Sequence, residues 1–296
     1  MGNKTKIDWC DSTWNPVTGC LQGCPYCYAR RIAERFGSHG KSLIDPVGDS
    51  LTYVDETDGI RELNNQLSEV KATCNGSFVR PAPYPYDFAP TFNRYKLNEP
   101  KSWKKPRNIF VCSMADLFGD WVPDEWIEQV FEACDAAPWH RYIFLTKNPK
   151  RLCRMATATK VFLWNVDHPG SQVHPKTEEY VEGMRLPIRD NWWFGSTIDN
   201  RKAECFRCGN TWNTFTSIEP LAEYLDVGIG SFGNDRWTII GAETGNRKGK
   251  ITPKREWVEN IVEAAQITGM KVFMKESLRG LMGDDFRQEL PWKEKQ

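Results

Sequence analysis

Thr13-Trp14-Asn15-Pro16-Val17-Thr18-Gly19-Cys20-Leu21-Gln22-Gly23-Cys24-Pro25-Tyr26-Cys27 brings three thiols within one short loop. A β-prone run leads into it, and the helical run Tyr28-Ala-Arg-Arg-Ile-Ala-Glu-Arg-Phe leads out. Three cysteines at this spacing suit three corners of a cubic iron–sulfur cluster, leaving the fourth iron without a protein ligand. An iron with an open position binds and activates a further molecule, so the loop reads as a reagent site more than a structural staple. The alternative is zinc on the C-x2-C pair Cys24 and Cys27, with Cys205 and Cys208 as the second pair. That reading leaves Cys20 without a role.

Outward from the loop, apolar runs alternate with helical stretches. Candidate strands cover 13–18, 108–113, 141–146, 191–197, 214–218, 236–241 and 270–275, and the best helices cover 123–137 and 253–268. Ile109-Phe-Val-Cys and Tyr142-Ile-Phe-Leu are continuously apolar, as parallel strands buried on both faces require. Strand followed by helix, about six times over, predicts an α/β fold: a partial or full parallel (βα)6-type TIM-like barrel. The expected organisation is one domain over 1–296, with a barrel core at 7–36 and 108–276 and a C-terminal tail at 277–296. The interval 37–107, rich in Gly, Pro, Asp and Asn, breaks the rhythm and reads as an irregular, lid-like insertion after the first helix. A second candidate cover is 163–189, which holds His168, Pro169 and His174; peripheral decoration is the alternative for both.

The 296 residues carry 39 basic and 39 acidic side chains. A neutral chain lacks the field that draws proteins to a phosphate backbone, so a small substrate is expected and nucleic acid is not the default partner. The N-terminus shows no apolar signal segment, and no run approaches the length of a membrane span. A cytoplasmic protein with free or metal-bound thiols is expected, not a disulfide framework, despite ten cysteines. Cys112, Cys134 and Cys153 read as buried small hydrophobes. Cys10, Cys74, Cys205 and Cys208 offer no compact pattern for an auxiliary metal. His39, His140, His168 and His174 read as surface or loop residues. Most of the thirteen tryptophans are expected in packing.

Parallel βα barrels place their sites at the carboxyl ends of the strands. Here the endings are polar: Ser113-Met-Ala-Asp116, Thr146-Lys147-Asn148, Ser196-Thr-Ile-Asp199, Ser217-Ile-Glu219-Pro220, Gly241-Ala-Glu243-Thr-Gly and Lys275-Glu276. Any one suits a helix cap. All of them together on one rim argue for a site.

The C-x3-C-x2-C loop, with Tyr26 as the aromatic before its last cysteine, resembles the cluster loop of the radical S-adenosylmethionine (SAM) superfamily. Thr-Trp-Asn-Pro, Ser-Met-Ala-Asp-Leu-Phe, Leu-Thr-Lys-Asn-Pro, Ser-Ile-Glu-Pro-Leu and Gly-Ala-Glu-Thr-Gly resemble a family within it first described as phage proteins of unknown function. The likeness runs from about Ile7 to Lys275 and is least over 37–107. The nearest named activity in that family is queuine lyase, which releases queuine from queuosine 5′-phosphate.

The resemblance implies a [4Fe–4S] cluster on Cys20, Cys24 and Cys27 that chelates SAM at its open iron. One-electron reduction, from a donor such as flavodoxin or ferredoxin, would then yield a 5′-deoxyadenosyl radical that takes hydrogen from a nucleotide substrate. It further implies Ser113 and Asp116 at the methionine amino group, where the commoner pattern is Gly-Gly-Glu. Ser196 falls to the SAM ribose, Tyr26 to adenine, and the backbone near Gly241 to the same pocket. For a queuine lyase, Glu219 and Glu243, with Asp199 behind them, would accept the paired N–H donors of the base. Lys147 and Lys275 would meet the 5′-phosphate, or else form internal ion pairs with Glu219 or Glu243. Asn15, inside the first strand, is a candidate substrate contact. Two rivals stand beside this: radical SAM modification or repair of a base in nucleic acid, and a non-enzymatic zinc-binding interaction module.

Overall fold

The computed structural model describes residues 5–45, 52–55, 60–73, 76–156, 162–165, 185–207, 211–228 and 231–293. Cys74, Cys208, His168, His174 and most of 163–189 lie outside the described residues. The chain packs as two compact units, Met1–Asn3 with Ser12–His140 and Lys4–Asp11 with Arg141–Gln296.

In the first unit, β1 (Ser12–Trp14) leads to β2 (Val17–Thr18), α1 (Tyr28–Phe36), β3 (Leu43–Ile44), β4 (Thr52–Asp55) and β5 (Ile60–Leu63). Then follow β6 (Ser68–Thr73), β7 (Gly76–Pro81), β8 (Thr91–Asn93), α2 (Glu99–Ser102), β9 (Asn108–Val111) and α3 (Asp124–Asp135). β1 and β9 pair in parallel, Ser12 opposite Ile109. The single strand expected over 13–18 is two. Pro16 has no N–H to continue the ladder, and beyond it β2 turns to pair antiparallel with β8.

The segment 37–107 is not irregular. Its described part forms an antiparallel sheet in the order β3-β6-β7 and a second sheet, with β2, in the order β2-β8-β5-β4. Its pattern hides the strands because the polarity is inverted on β6: Glu69 is fully buried while Val70 is 40% exposed. The buried carboxylate accepts from the Ser38 hydroxyl (2.8 Å) and from Arg80 Nε and Nη2 (3.2 and 2.9 Å). His140 also departs from expectation, being buried. Its Nδ1 accepts the Arg107 amide (3.1 Å) while Nε2 lies 2.9 Å from the Pro100 carbonyl, so the ring ties the approach to β9.

The second unit holds β10 (Arg141–Thr146), α4 (Pro149–Met155), β11 (Phe162–Asn165), β12 (Trp192–Ile198), β13 (Glu204–Arg207) and β14 (Asn213–Ile218). After these come β15 (Trp237–Ile240), α5 (Arg255–Ile267) and β16 (Lys271–Met274). β10, β12, β14, β15 and β16 form a parallel sheet in that order. Every residue of β12, β14 and β15 is buried, as expected for strands covered on both faces. α5 contributes Val258, Ile261, Val262 and Ala265 to the core that also holds Ile218, Ile240 and Met274.

The strands' amino ends rest on Trp9, Trp193, Trp237 and Trp292, whose rings meet edge to face at 5.1–6.4 Å. The tail beyond 276 is docked: Gln288 bridges Phe273 antiparallel, and Glu289 N–H bonds the Val272 carbonyl at 2.9 Å. The α/β class and the parallel strands agree with the sequence reading, two such strands in one unit and five in the other. Among the described residues, no helix is long and apolar enough to cross a membrane.

The Glu69 carboxyl sits below the usual carboxylate range: burial pushes it up, and Ser38, Arg80 and Lys41 more than offset that. A depressed carboxyl stabilises the fold above the unfolded-state pKa, about 4.3, and loses that contribution as pH falls further. Glu69→Gln therefore lowers the thermal midpoint at pH 7, and the gap to the parent protein closes as both are titrated towards pH 3. A gap that stays constant with pH contradicts the assignment.

Candidate functional site

The first unit presents the cysteine loop. It begins at Gly19, whose N–H reaches the Met114 carbonyl (2.9 Å) and whose φ of +86° favours glycine. A Cβ there would stand 2.2 Å from the Ala89 carbonyl oxygen, so the loop passes this strand end with no room for a side chain. Cys20 N–H then bonds the Phe88 carbonyl (3.3 Å). At the far end Cys27 is the N-cap of α1, its Sγ accepting from Arg30 N–H (3.3 Å). Arg30 folds back to the Cys20 carbonyl (3.4 Å) and over the Phe88 ring.

Asn15 lies just past β1, not inside it. Its Oδ1 receives the Ser113 hydroxyl (3.1 Å) and the Met114 amide (2.9 Å), clamping the end of β9 beside the loop. Ser113 is thereby engaged by Asn15, and its carbonyl accepts Tyr28 Oη–H at 2.5 Å. Asp116 is buried and caps the Phe118 amide (3.1 Å). Tyr26 sits half-buried between Cys24 and Cys27.

Cys20, Cys24 and Cys27 are all free thiols with partial exposure. Among the described residues, no three or more His, Cys, Asp or Glu side chains gather closely enough to hold a metal ion. A cubane makes a different demand, since each thiolate binds a separate iron. The donor set fits it in chemistry. Gln22 N–H lies 3.5 Å from Cys20 Sγ, a second amide aimed at a ligand sulfur besides that at Cys27. Burial pushes the Cys20 thiol up to about 12, with Asp116, Cys24 and Cys27 adding to the rise and the Gln22 N–H opposing it. Cys20 is therefore protonated at neutral pH in the bare loop, and binding a cationic iron centre would release its proton.

In the second unit the strand ends carry ion pairs. Lys147, after β10, bonds Asp199 Oδ2 at 2.5 Å, and Asn200 holds the other oxygen. Lys275, after β16, meets Glu219 Oε1 at 2.9 Å, while Ser217 holds Oε2 at 3.0 Å. The internal pairing weighed for Lys275 thus occurs; Lys147 pairs with Asp199 instead. Burial lowers the Lys275 pKa, but Glu219, with Asp8 and Cys10 behind it, brings it above the ordinary lysine value. Glu243 is buried and gripped by Arg247 through two bonds of 2.6 and 2.7 Å. Arg247 and Asp8 were not singled out by sequence; their only signal is position, four residues after Glu243 and just upstream of the first strand.

Ser196 departs from its expected role. It is buried within β12, where its Oγ accepts the Phe206 amide at 2.8 Å, so it anchors β13 and offers no exposed atom to a ribose. Cys205 is buried in the core and Cys10 is half-buried near Lys275; neither joins a metal-ligating group among the described residues.

Residues 4–281 match the family described as "Protein of unknown function (DUF5131)", and the chain belongs to that family. No curated protein matches it. Among solved structures it is similar to spore photoproduct lyase complexed with dinucleoside spore photoproduct. That likeness has 9% identity and a TM-score of 0.47, over 93% of this chain and 79% of that one.

Gly241 lies against the Lys275–Glu219 pair. A Cβ there would stand 2.7 Å from Glu219 Oε1 and 3.0 Å from Lys275 Cδ. Gly241→Ala should cost about 1–3 kcal/mol by overpacking. It should also raise Lys275 reactivity toward an amine-labelling reagent, because the pair must part. Unchanged stability and labelling would mean the pair has slack.

Proposed function

We propose that this chain is a radical SAM enzyme that holds a [4Fe–4S] cluster on Cys20, Cys24 and Cys27 and acts on a nucleotide substrate. In its most specific form the reaction releases queuine from queuosine 5′-phosphate. The observation that supports the reading is the C-x3-C-x2-C loop with its Tyr26, set between β2 and α1 with Cys27 as the helix N-cap. When bound, the cluster and SAM supply the one-electron chemistry that removes a hydrogen atom from substrate.

The chain's own residues supply the rest. Cys20 would give up its proton on ligation, and the amides of Gln22 and Arg30, which point at Cys20 and Cys27 Sγ, would stabilise thiolate charge there. Asn15, through Ser113 and Met114, holds the loop at the end of β9, so the ligands are positioned by strand backbone. Asp116 and Tyr26 are the proposed contacts to the methionine and adenine ends of SAM. In the second unit, Glu219 is oriented by Ser217 and Lys275 and presents a carboxylate edge to paired N–H donors of a base. Lys147 and Lys275 supply positive charge toward a phosphate, held in place by Asp199 and Glu219. Gly241 keeps the space beside Glu219 clear. The electron donor is proposed to be a flavodoxin- or ferredoxin-type protein.

A second reading, a base within nucleic acid, is favoured by one observation. The stretch 244–254 carries Arg247, Lys248, Lys250 and Lys254 and no acidic residue.

Anaerobic reconstitution with iron and sulfide, followed by reductant, SAM and queuosine 5′-phosphate, tests the reading. About four irons per chain and formation of both 5′-deoxyadenosine and queuine are expected, with both products lost in Cys24→Ala. Deoxyadenosine without queuine rejects this substrate and keeps the class of chemistry. Neither product from iron-loaded protein rejects both.

A further inference from the structure

Three loops follow adjacent strands of the second unit: 199–203 after β12, 219–228 after β14 and 241–254 after β15. Neighbouring strands lie about 4.8 Å apart, so the loop bases span about 10 Å. They are tied together. Arg201 donates through N–H and Nε to Glu223 (2.8 and 3.2 Å), joining the first loop to the second. Leu221 N–H bonds the Gly241 carbonyl (2.8 Å), joining the second to the third.

The charges on these loops are not balanced. Asp199, Glu219, Glu223 and Glu243 are engaged by Lys147, Lys275, Arg201 and Arg247, and Lys254 lies 3.6 Å from Glu256. Among the described residues Lys202 and Lys248 meet no carboxylate, and Lys250 donates to the Gly245 carbonyl alone (3.2 Å). Asp226 is the one acidic residue of the three loops without a cation partner among the described residues. Three exposed lysines therefore stand against one carboxylate. On the middle of the three loops, next to Glu223, Tyr224 is 45% exposed. Cations flanking an exposed aromatic ring are what a nucleic-acid strand needs: charge for the phosphodiester backbone and a face on which an unpaired base can stack.

We infer that Lys202, Tyr224, Lys248 and Lys250 form a binding ridge for single-stranded nucleic acid on the strand-end loops of the second unit. That the bound strand carries the reacting nucleotide rests on the second reading above, a base within nucleic acid; the binding itself does not. The chain's zero net charge does not oppose this, because the surplus is local and all but one of the loops' carboxylates are paired.

Fluorescence anisotropy with the full-length chain and labelled mixed-sequence single-stranded DNA and RNA tests the ridge, read across a salt series. Binding should weaken with salt, and Lys248→Gln with Lys250→Gln should reduce the log–log salt slope by about 1.4, at about 0.7 per phosphate contact. Tyr224→Ala should weaken binding roughly 5- to 150-fold, the loss of one stacked base. All three side chains are exposed, so the thermal midpoints should not move. No binding at low salt, binding insensitive to these substitutions, duplex bound as well as single strand, or equal competition by a mononucleotide would each overturn the inference. The triple substitution of Cys20, Cys24 and Cys27 by Ala separates the two proposals. It should retain strand binding even if no iron chemistry is ever found.

Discussion

The carboxamide oxygen of Asn15 is the contact on which the first unit's loop depends. It takes two donors from the chain leaving β9, and it can do so because Pro16 stops β1 immediately beyond it. Cys112, with φ of +57°, turns β9 out of its ladder at the same place. Gly19 then passes within reach of Ala89 and Met114 with no room for a side chain. Backbone thus fixes both the entry to the cysteine loop and the neighbouring strand end before any thiol is placed. A loop held this way owes its position to hydrogen bonds between chain segments, so its shape does not depend on anything the thiols bind.

The second unit solves a different problem. Its strand ends collect charged groups that burial would penalise singly, and each is stabilised by a partner on the same or another strand-end loop. Lys275 shows the balance: desolvation works against its charge, and Glu219, Asp8 and Cys10 together outweigh it. The pair needs a neighbour without a side chain, which Gly241 provides.

The parallel strands were legible because both their faces are buried, so runs such as Ile109-Phe-Val and Trp192-Trp-Phe read the same from either side. β10 was located to the residue, and α3 and α5 within two at each end. The inserted sheets were not legible, because on β6 the acid points inward and the valine outward. Arg80, eleven residues away, and Ser38, thirty-one residues away, make that arrangement stable. At the site, the residue types could be read from the strand endings, but their pairings could not. Nothing in the order of residues says that Lys147 turns to Asp199, or that Ser196 bonds the β13 backbone and does not face the rim. Burial also misled for His140, whose polar ring is kept inside by two backbone groups that lie far from it in sequence.

Net charge was the least informative number for the question it was asked to decide. A balanced total argues against a polymeric anion only if the charges are evenly mixed, because screening limits each phosphate to the cations within about a Debye length, 8–10 Å. Along 244–254 the chain places four cations in succession without an acid, and spends only the first and last on carboxylates just outside the stretch. The two in the middle are left facing solvent. A ligand at this rim would encounter those two lysines and Lys202, together with Asp226, and the distant acids that bring the sum to zero would be screened from it.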